Sequence, residues 1–415
     1  MCGTADHPGI IVGHLGPSVD VLPAGILVPY FLDLRDRIRI CRPFLQRFGD
    51  FFIPQIVLVH RVVCEGVDGC ALRRFFLSDA ATQQPLLEEA LAHLPACATS
   101  IVQQPPLDGT KIALWQWSAT DLESDFGAYA HNGYLHYWMG GSIPYQSADI
   151  HTLGRIKNWA FARRHLDTVM PPRTTVPAAA DPEYQMRDLF DAWRCELRAM
   201  DMTIADHALR TWIFVHDVDV NYGGVVAGRR KYFSRIGLTP DTHYIASTGI
   251  EGRHALPEVL VQMDGYAVRG LQPSQISYLQ APDYLNPTYE YGVTFERGTA
   301  VTYGDRRHVF ISGTASIDRE GKVVHEGDVI LQTDRMLTNV EALLAKAECT
   351  MTDIVSAIVY LRDPADAQRV RQHLAERLPA LPYILVHAPV CRPAWLIEME
   401  CIAARPHTDD RYAPF

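Results

Sequence analysis

The stretch Cys391-Arg392-Pro393-Ala394-Trp395-Leu396-Ile397-Glu398-Met399-Glu400-Cys401 decides how this chain is read. From Ile397 onward apolar residues alternate with acids, the period of a β-strand. Glu398 and Glu400 then share one face, and Ile397, Met399 and Cys401 point to the other, towards a core. Arg392 stands six residues before Glu398, and Pro393 restricts the backbone beside it. Two carboxylates on one strand face are costly to bury unless that face lines a polar pocket. In such a pocket Arg392 would grip an anion through its planar fork, and Glu398, pressed by its neighbour Glu400, would hold a raised pKa suited to acid catalysis. Periodicity alone leaves a second reading open, in which both acids lie on the solvated face of an edge strand. For Glu400 a structural role is the ordinary expectation.

An internal repeat favours the pocket. Residues Val259-Leu260-Val261-Gln262-Met263-Asp264 lay onto Trp395-Leu396-Ile397-Glu398-Met399-Glu400. Upstream, Trp212-Ile213-Phe214-Val215-His216-Asp217 lays onto Ile358-Val359-Tyr360-Leu361-Arg362-Asp363, and the run from Tyr134 to Ile143 onto the run from His308 to Ile317. Three weak matches in one order indicate two copies of a domain. The copies differ at the chemistry. Gln262 replaces Glu398 and cannot transfer a proton. Arg253, the nearest counterpart of Arg392, lies three residues further off. One copy keeps the chemistry and the other is scaffold or pocket wall.

The chain has 415 residues, enough for two or three cores, and a net charge of -10, which argues against nucleic acid and anionic membranes as partners. Nine cysteines without a CxxC or Cys/His pattern fit neither a zinc site nor a disulfide framework, and the expected compartment is the cytoplasm. The first residues lack the pattern of a signal peptide, and no apolar run is long enough to span a bilayer.

Along the chain, Arg35 to Ile40 reads as a short strand and Gln84 to Leu94 as an amphipathic helix. Asp108-Gly109 reads as a turn before a strand from Lys111 to Trp117. Asp181-Pro182 caps a helix with a stripe of Met186, Leu189, Phe190, Trp193, Leu197 and Met200. A helix is expected from about Gly224 to Ile236. The proline-bearing run from Leu271 to Thr288 reads as a linker. Beyond it come a strand from His308 to Ile317 and a helix over 328–346 with Leu331, Met336, Val340, Leu343 and Leu344 as its stripe. A strand over 356–361, a helix over 364–377 and the Glu398 strand follow. Helices on one face of a sheet make this an α+β arrangement.

The runs Ser312-Gly313-Thr314, Gly327-Asp328, Gln332-Thr333, Asn339-Val340-Glu341, Cys391-Arg392-Pro393 and Ile397-Glu398-Met399-Glu400 resemble the RidA/YjgF family, over about Tyr291 to Arg405. Within it the tandem arrangement most resembles the chorismatases. The resemblance implies two tandem RidA/YjgF-like (chorismate-mutase-like) domains: an N-terminal extension over 1–70, a degenerate domain over 71–285 and a catalytic domain over 286–415. It implies that Arg392 binds the substrate carboxylate and that Glu398 either activates water, as in imine and enamine deaminases, or protonates an enolpyruvyl methylene, as in chorismatases. A cysteine before that arginine, here Cys391, marks chorismatases that yield hydroxybenzoate. The segment Tyr291-Gly292-Val293-Thr294-Phe295-Glu296-Arg297 keeps the Tyr-Gly, Phe and Arg of the chorismatase pattern but has Val293 where those enzymes usually carry proline.

The expected catalytic residues are therefore Glu398 and Cys391, with Arg392, Gly313, Thr314, Tyr222 and Arg230 binding substrate. Gly313 has two readings, close approach of a ligand or a plain β-bulge. Tyr222 and Arg230 are taken to reach the pocket from the first copy, with Arg229 weighed beside them, although a charge pair on a helix is usually a solvated face. The expected reaction is cleavage of the enolpyruvyl ether of chorismate or a related compound to pyruvate and a hydroxybenzoate-type product, with neither metal nor organic cofactor. A chorismatase needs a second cation in the pocket, whereas a small imino acid needs only Arg392. The alternatives are a deaminase and a non-catalytic carboxylate-binding module. The assembly is expected to be either a homotrimer or a monomer with pseudo-trimeric contacts.

Overall fold

The computed structural model describes residues 10–14, 69–92, 96–119, 127–144 and 181–415. The strand expected over Arg35 to Ile40 lies outside them. Three sheets are built in chain order. The first has strand order β1-β4-β2-β3, from β1 (Ile10–His14), β2 (Gly69–Leu77), β3 (Ala98–Gln103) and β4 (Ile112–Ala119). The second has order β5-β6-β9-β7-β8, from β5 (Ala128–His131), β6 (Tyr134–Ser142), β7 (Ala208–Val215), β8 (Ala246–Glu251) and β9 (Val261–Arg269). The third has order β10-β11-β12-β15-β13-β14. Its strands are β10 (Ile276–Leu279), β11 (Gly298–Thr302), β12 (Arg306–Ala315), β13 (Ile354–Leu361), β14 (Tyr383–His387) and β15 (Ile397–Pro406).

One motif recurs in all three: a strand, a helix, a parallel strand, and an antiparallel strand returning along the first. The crossover helices are α1 (Ala80–Leu91) in the first sheet, α3 (Val218–Arg235) in the second and α5 (Ala367–Arg377) in the third. The second and third sheets add a hairpin and a packing helix, α2 (Pro182–Arg198) and α4 (Val329–Lys346). The registers agree residue by residue. Phe76 lies opposite Val102 and Ala113, Phe214 opposite Ile250 and Gln262, and Tyr360 opposite Val386 and Glu398. The first strand carries an irregularity at the same place each time, between Cys70 and Leu72, Ala208 and Arg210, and Ile354 and Ser356. Residues 71–285, expected as one degenerate domain, hold the second sheet, most of the first and the edge strand β10 of the third, and the half-unit over 69–119 repeats the motif once more, which the sequence comparison missed.

Two of the three repeat matches coincide with these registers. The hairpin match is offset by two. Met139 pairs with Gly265 and Ser142 with Met263, whereas Ile311 pairs with Cys401 and Thr314 with Met399. Gly140-Gly141-Ser142 therefore corresponds to Ser312-Gly313-Thr314. A slip of two residues keeps every side chain on its own face, so hydrophobic alternation cannot detect it.

Capping residues set the helix ends. Asp181 accepts from the Glu183 N–H ahead of α2, and Asp328 from the Ile330 and Leu331 N–H groups ahead of α4. Asp79 caps α1, which begins a turn earlier than its apolar pattern suggests. All six stripe residues expected on the helix capped by Asp181 are buried. Leu331, expected on the stripe of α4, is exposed, and the polar Gln332 and Thr333 are buried in its place. The run expected as a linker holds the edge strand β10, antiparallel to β11, an edge position that tolerates nearby prolines.

The sheet faces that carry Gln262, Asp264, Glu398 and Glu400 pack together, and helices cover the other faces. A cyclic set of buried polar contacts joins the sheets. Arg74 of the first pairs with Asp264 of the second at 2.7 Å, Arg210 of the second pairs with Glu400 of the third at 2.7 Å, and the Trp115 indole of the first donates to Ser356 Oγ of the third at 2.9 Å. Trp115, Trp138 and Trp212 lie about 6 Å apart around the same centre. Charges are tolerated in this interior because each finds an opposite charge and hydrogen bonds. Among the described residues no helix is long and apolar enough to cross a membrane.

Candidate active site

β15 lies between β12 and β13, so Glu398 and Glu400 are on an interior strand and neither is solvated. Their roles then diverge. Glu400 accepts from Arg210 Nη2 and from the Trp212 indole, each at 2.7 Å. Both its oxygens are held, which fixes it as an internal carboxylate of the sheet junction. Glu398 faces a cavity of about 280 Å³ between the second and third sheets. Burial, and then the Glu400 charge, push its carboxyl up to about 8, against the opposing pull of Arg210 and Arg297. At neutral pH it is predominantly a neutral acid.

Gly313 is what makes room for that acid. A Cβ there would lie 2.2 Å from Glu398 Oε1 and 3.1 Å from Thr248 Cγ2. The β12–β15 register is broken between Ile311 and Thr314, so the bulge reading of Gly313 holds, and the bulge seats the carboxyl. Its N–H donates to Thr248 Oγ1 at 2.9 Å. Thr314, the next residue, does not reach the cavity. It is fully buried, and its hydroxyl donates to the Ser312 carbonyl at 2.9 Å. Beyond the bulge Thr314 pairs with Met399, and its side chain is turned away from the cavity that Gly313 lines.

The remaining expected residues converge. Cys391 and Arg392 line the cavity from the turn before β15, and Tyr222 and Arg230 line it from α3. The Tyr222 ring lies against β8 at Gly249, where a Cβ would come 2.8 Å from Cε2. Tyr222 hydrogen-bonds the Cys391 thiol, but burial and the nearby Glu398 outweigh it and push the thiol up to about 12. Cys391 is therefore a neutral thiol and a poor nucleophile at physiological pH. Arg392 sits 4.9 Å from the centre of the Trp395 ring. Arg230 closes the rim through a hydrogen bond to the Gly292 carbonyl.

Two further arginines line the same cavity. Arg229, weighed in the sequence beside Arg230, is buried and donates to Thr294 Oγ1 at 3.2 Å and Ser247 Oγ at 3.3 Å. Arg297, not selected from the sequence, is buried and donates to the Asn286 carbonyl at 2.9 Å. Phe295 lies between them, its ring centre 5.7 Å from the Arg229 guanidinium and 5.6 Å from that of Arg297. The available signal was Phe295-Glu296-Arg297, whose first and third residues face the same way on an extended backbone. The lining thus holds four guanidinium groups and one carboxyl, and that carboxyl is mostly neutral. The field favours an anion, and a doubly charged one above a singly charged one. Among the described residues no cluster of three or more His, Cys, Asp or Glu residues could hold a metal ion.

Repeated α+β units, with an arginine-lined cavity between two of them and a buried acid on one wall, define the class of fold to which this chain belongs. The chain is a member of the RidA/YjgF family. The family model described as endoribonuclease L-PSP matches residues 298–405. Over 99 residues the chain is 33% identical to a RutC family protein of Pyrococcus abyssi (strain GE5 / Orsay), covering 23% of this chain and 76% of that protein. Over 97 residues it is 31% identical to the 3-aminoacrylate deaminase RutC of Acinetobacter baylyi (strain ATCC 33305 / BD413 / ADP1), covering 23% and 77%. A chorismatase crystal structure superposes on 82% of this chain and 94% of its own, with a TM-score of 0.53 at 20% identity, which establishes a common fold.

Proposed function

We propose that this chain is a cytoplasmic chorismatase-like enzyme. It cleaves the enolpyruvyl ether of chorismate or a related dicarboxylate to pyruvate and a hydroxybenzoate-type product. The observation that carries this reading is the pairing of a neutral, buried Glu398 with several guanidinium groups in one cavity. A dicarboxylate needs two cations. Arg392 supplies one, and Arg297 or Arg229 supplies the other from a different wall.

In this reading Glu398 gives its proton to the terminal methylene of the enolpyruvyl group. A carbon–hydrogen bond forms there as the carboxyl O–H breaks. Positive charge develops on the ether-bearing carbon beside the new carboxylate, a transition state that the fixed, low-dielectric site favours. The bond between the ether oxygen and the ring then breaks, its electron pair completes the pyruvate carbonyl, and the ring left with the positive charge loses a proton to the Glu398 carboxylate as it becomes the hydroxybenzoate. Chorismate has the composition of pyruvate plus hydroxybenzoate, so that outcome consumes no water overall, whereas release of a dihydroxycyclohexadiene would consume one. Cys391, as a neutral thiol on the wall, contacts the substrate and biases it towards the aromatic product. The cyclic junction of the three sheets supports a monomer with pseudo-trimeric contacts.

A deaminase acting on a small imino acid would use Arg392 and Glu398 alone and would not call on Arg229 or Arg297 to bind substrate. The test is incubation with chorismate, followed by assay of pyruvate and chromatography of the ring product. Parallel incubations with a 2-imino acid, scored by ammonia release, address the deaminase. Pyruvate and hydroxybenzoate in equal amounts support the proposal. Ammonia release without chorismate turnover replaces it with the deaminase, and inertness towards both leaves the binding module.

A further inference from the structure

Arg362, at the end of β13, reaches both walls of the cavity without lining it. Its Nη1 and Nη2 each lie 2.9 Å from an oxygen of Asp219, in the first turn of α3 and three residues before Tyr222. Nη2 also donates to the Val390 carbonyl, and Nε to the Trp395 carbonyl at 3.3 Å. These two carbonyls bracket the turn that carries Cys391 and Arg392. One guanidinium therefore closes that turn and ties it to the helix of the second unit that bears Tyr222 and Arg229. A bidentate fork with additional carbonyl bonds is a geometry that lysine cannot reproduce.

The other repeats lack this arrangement. The residue matching Arg362 in the second unit is His216. Both backbones donate at the same place, His216 N–H to the Leu260 carbonyl and Arg362 N–H to the Leu396 carbonyl, each at 2.9 Å. The His216 ring lies beside Asp217, its own neighbour, with Nε2 3.6 Å from Oδ2. In the first unit the matching residue is Ser78, whose N–H donates to the Lys111 carbonyl. Among the three matching positions, the fork across two units stands at Arg362, whereas in the second unit Arg253 pairs with Asp217 at 2.8 Å and Glu251 at 3.3 Å within its own unit.

We infer that the Arg362–Asp219 pair is a positioning clamp that sets Arg392 and Cys391 against the α3 wall and so governs carboxylate binding. Its kinetic consequence rests on the proposed function, but its structural consequence does not. Hydrogen–deuterium exchange of the full chain tests the latter in Asp219→Asn and Arg362→Lys. Residues 388–396 should exchange about tenfold faster than in the native protein, while β13 and β14 keep their protection. With chorismate, both variants should raise KM about tenfold and leave kcat within about twofold, with recovery in Asp219→Glu. Unchanged exchange over 388–396 in both variants would overturn the clamp, as would a loss of kcat at constant KM. If the native protein does not turn over chorismate, the functional reading falls, and the exchange comparison still decides the clamp.

Discussion

The Glu398 carboxyl occupies the space that any side chain at residue 313 would need, with 2.2 Å between its Oε1 and a Cβ built on Gly313. Glu398 stands on β15 and Gly313 on the bulge of β12, so the position of the acid depends on the absence of one carbon atom on the adjacent strand. Gly313→Ala should push the carboxyl out of place and lower kcat by about 10²-fold with little loss of fold, because a misplacement near 1 Å has that order of effect. Steady-state kinetics together with thermal unfolding would check it. Native kcat in this variant would show that the carboxyl need not sit where it does.

Glu398→Gln should lower kcat by about 10²–10⁴-fold, the range of general acid catalysis. The native enzyme should lose activity as pH rises through about 8, because the acid must be protonated to act and its carboxyl is raised to about that value. The stability sign follows from the same shift. A carboxyl raised in the folded state binds its proton more tightly there than in the unfolded chain. Its contribution is full below the unfolded value and is lost as pH climbs towards about 8. Glu398→Gln should therefore unfold at a higher temperature than the native protein at pH 9, and the gap should close at pH 4. A pH–rate profile and melting curves across that window are the measurements.

Glu400→Gln should destabilise by about 3–5 kcal/mol, the usual result of leaving a buried charge without its partner, here Arg210. It should also lower the upper limit of the pH–rate profile, since the Glu400 charge is the second cause holding the Glu398 carboxyl up. Denaturant unfolding reads the first effect and the pH profile the second. A variant as stable as the native protein would remove Glu400 from the sheet junction.

Cys391 should resist alkylation by iodoacetamide at pH 7.5 in the native fold, because its thiol is raised to about 12. Cys391→Ala should alter the ratio of ring products or the rate at a cost of about 1 kcal/mol in stability, a methyl-sized cavity. Peptide mapping after alkylation and product chromatography test the two statements. Rapid labelling would mean that a thiolate is present and that Cys391 has a nucleophile's reactivity.

Gln262→Ala should leave kcat unchanged and lower stability by about 1–2 kcal/mol. Gln262 matches Glu398 in register, but its amide donates to the Ser100 hydroxyl and the Ile101 carbonyl at the junction with the first sheet. Activity and melting temperature measured on one preparation separate the two outcomes.

The sequence by itself determined the strand that holds Glu398, the helix cap at Asp181, and the correspondence of Gln262 with Glu398. Each rests on local periodicity or on turn and cap chemistry, which a short window contains. It also marked Arg392, Cys391, Gly313, Tyr222 and Arg230, which line one cavity. The tertiary structure decided which polar residues face that cavity. Thr314 is turned away beyond the bulge, and Arg297 is turned in by the segment before β11. The sequence expected a structural role for Glu400 beside a catalytic Glu398, and the fold supplied the partners that separate them. They share a strand face, yet Arg210 and Trp212, about 190 residues away in sequence, bind both oxygens of one, while the other faces a cavity and its carboxyl is pushed up to about 8. The third repeat, over 69–119, was hidden for the same reason. Strand pairing and inter-sheet packing conserve register and facing, and many different side chains satisfy them.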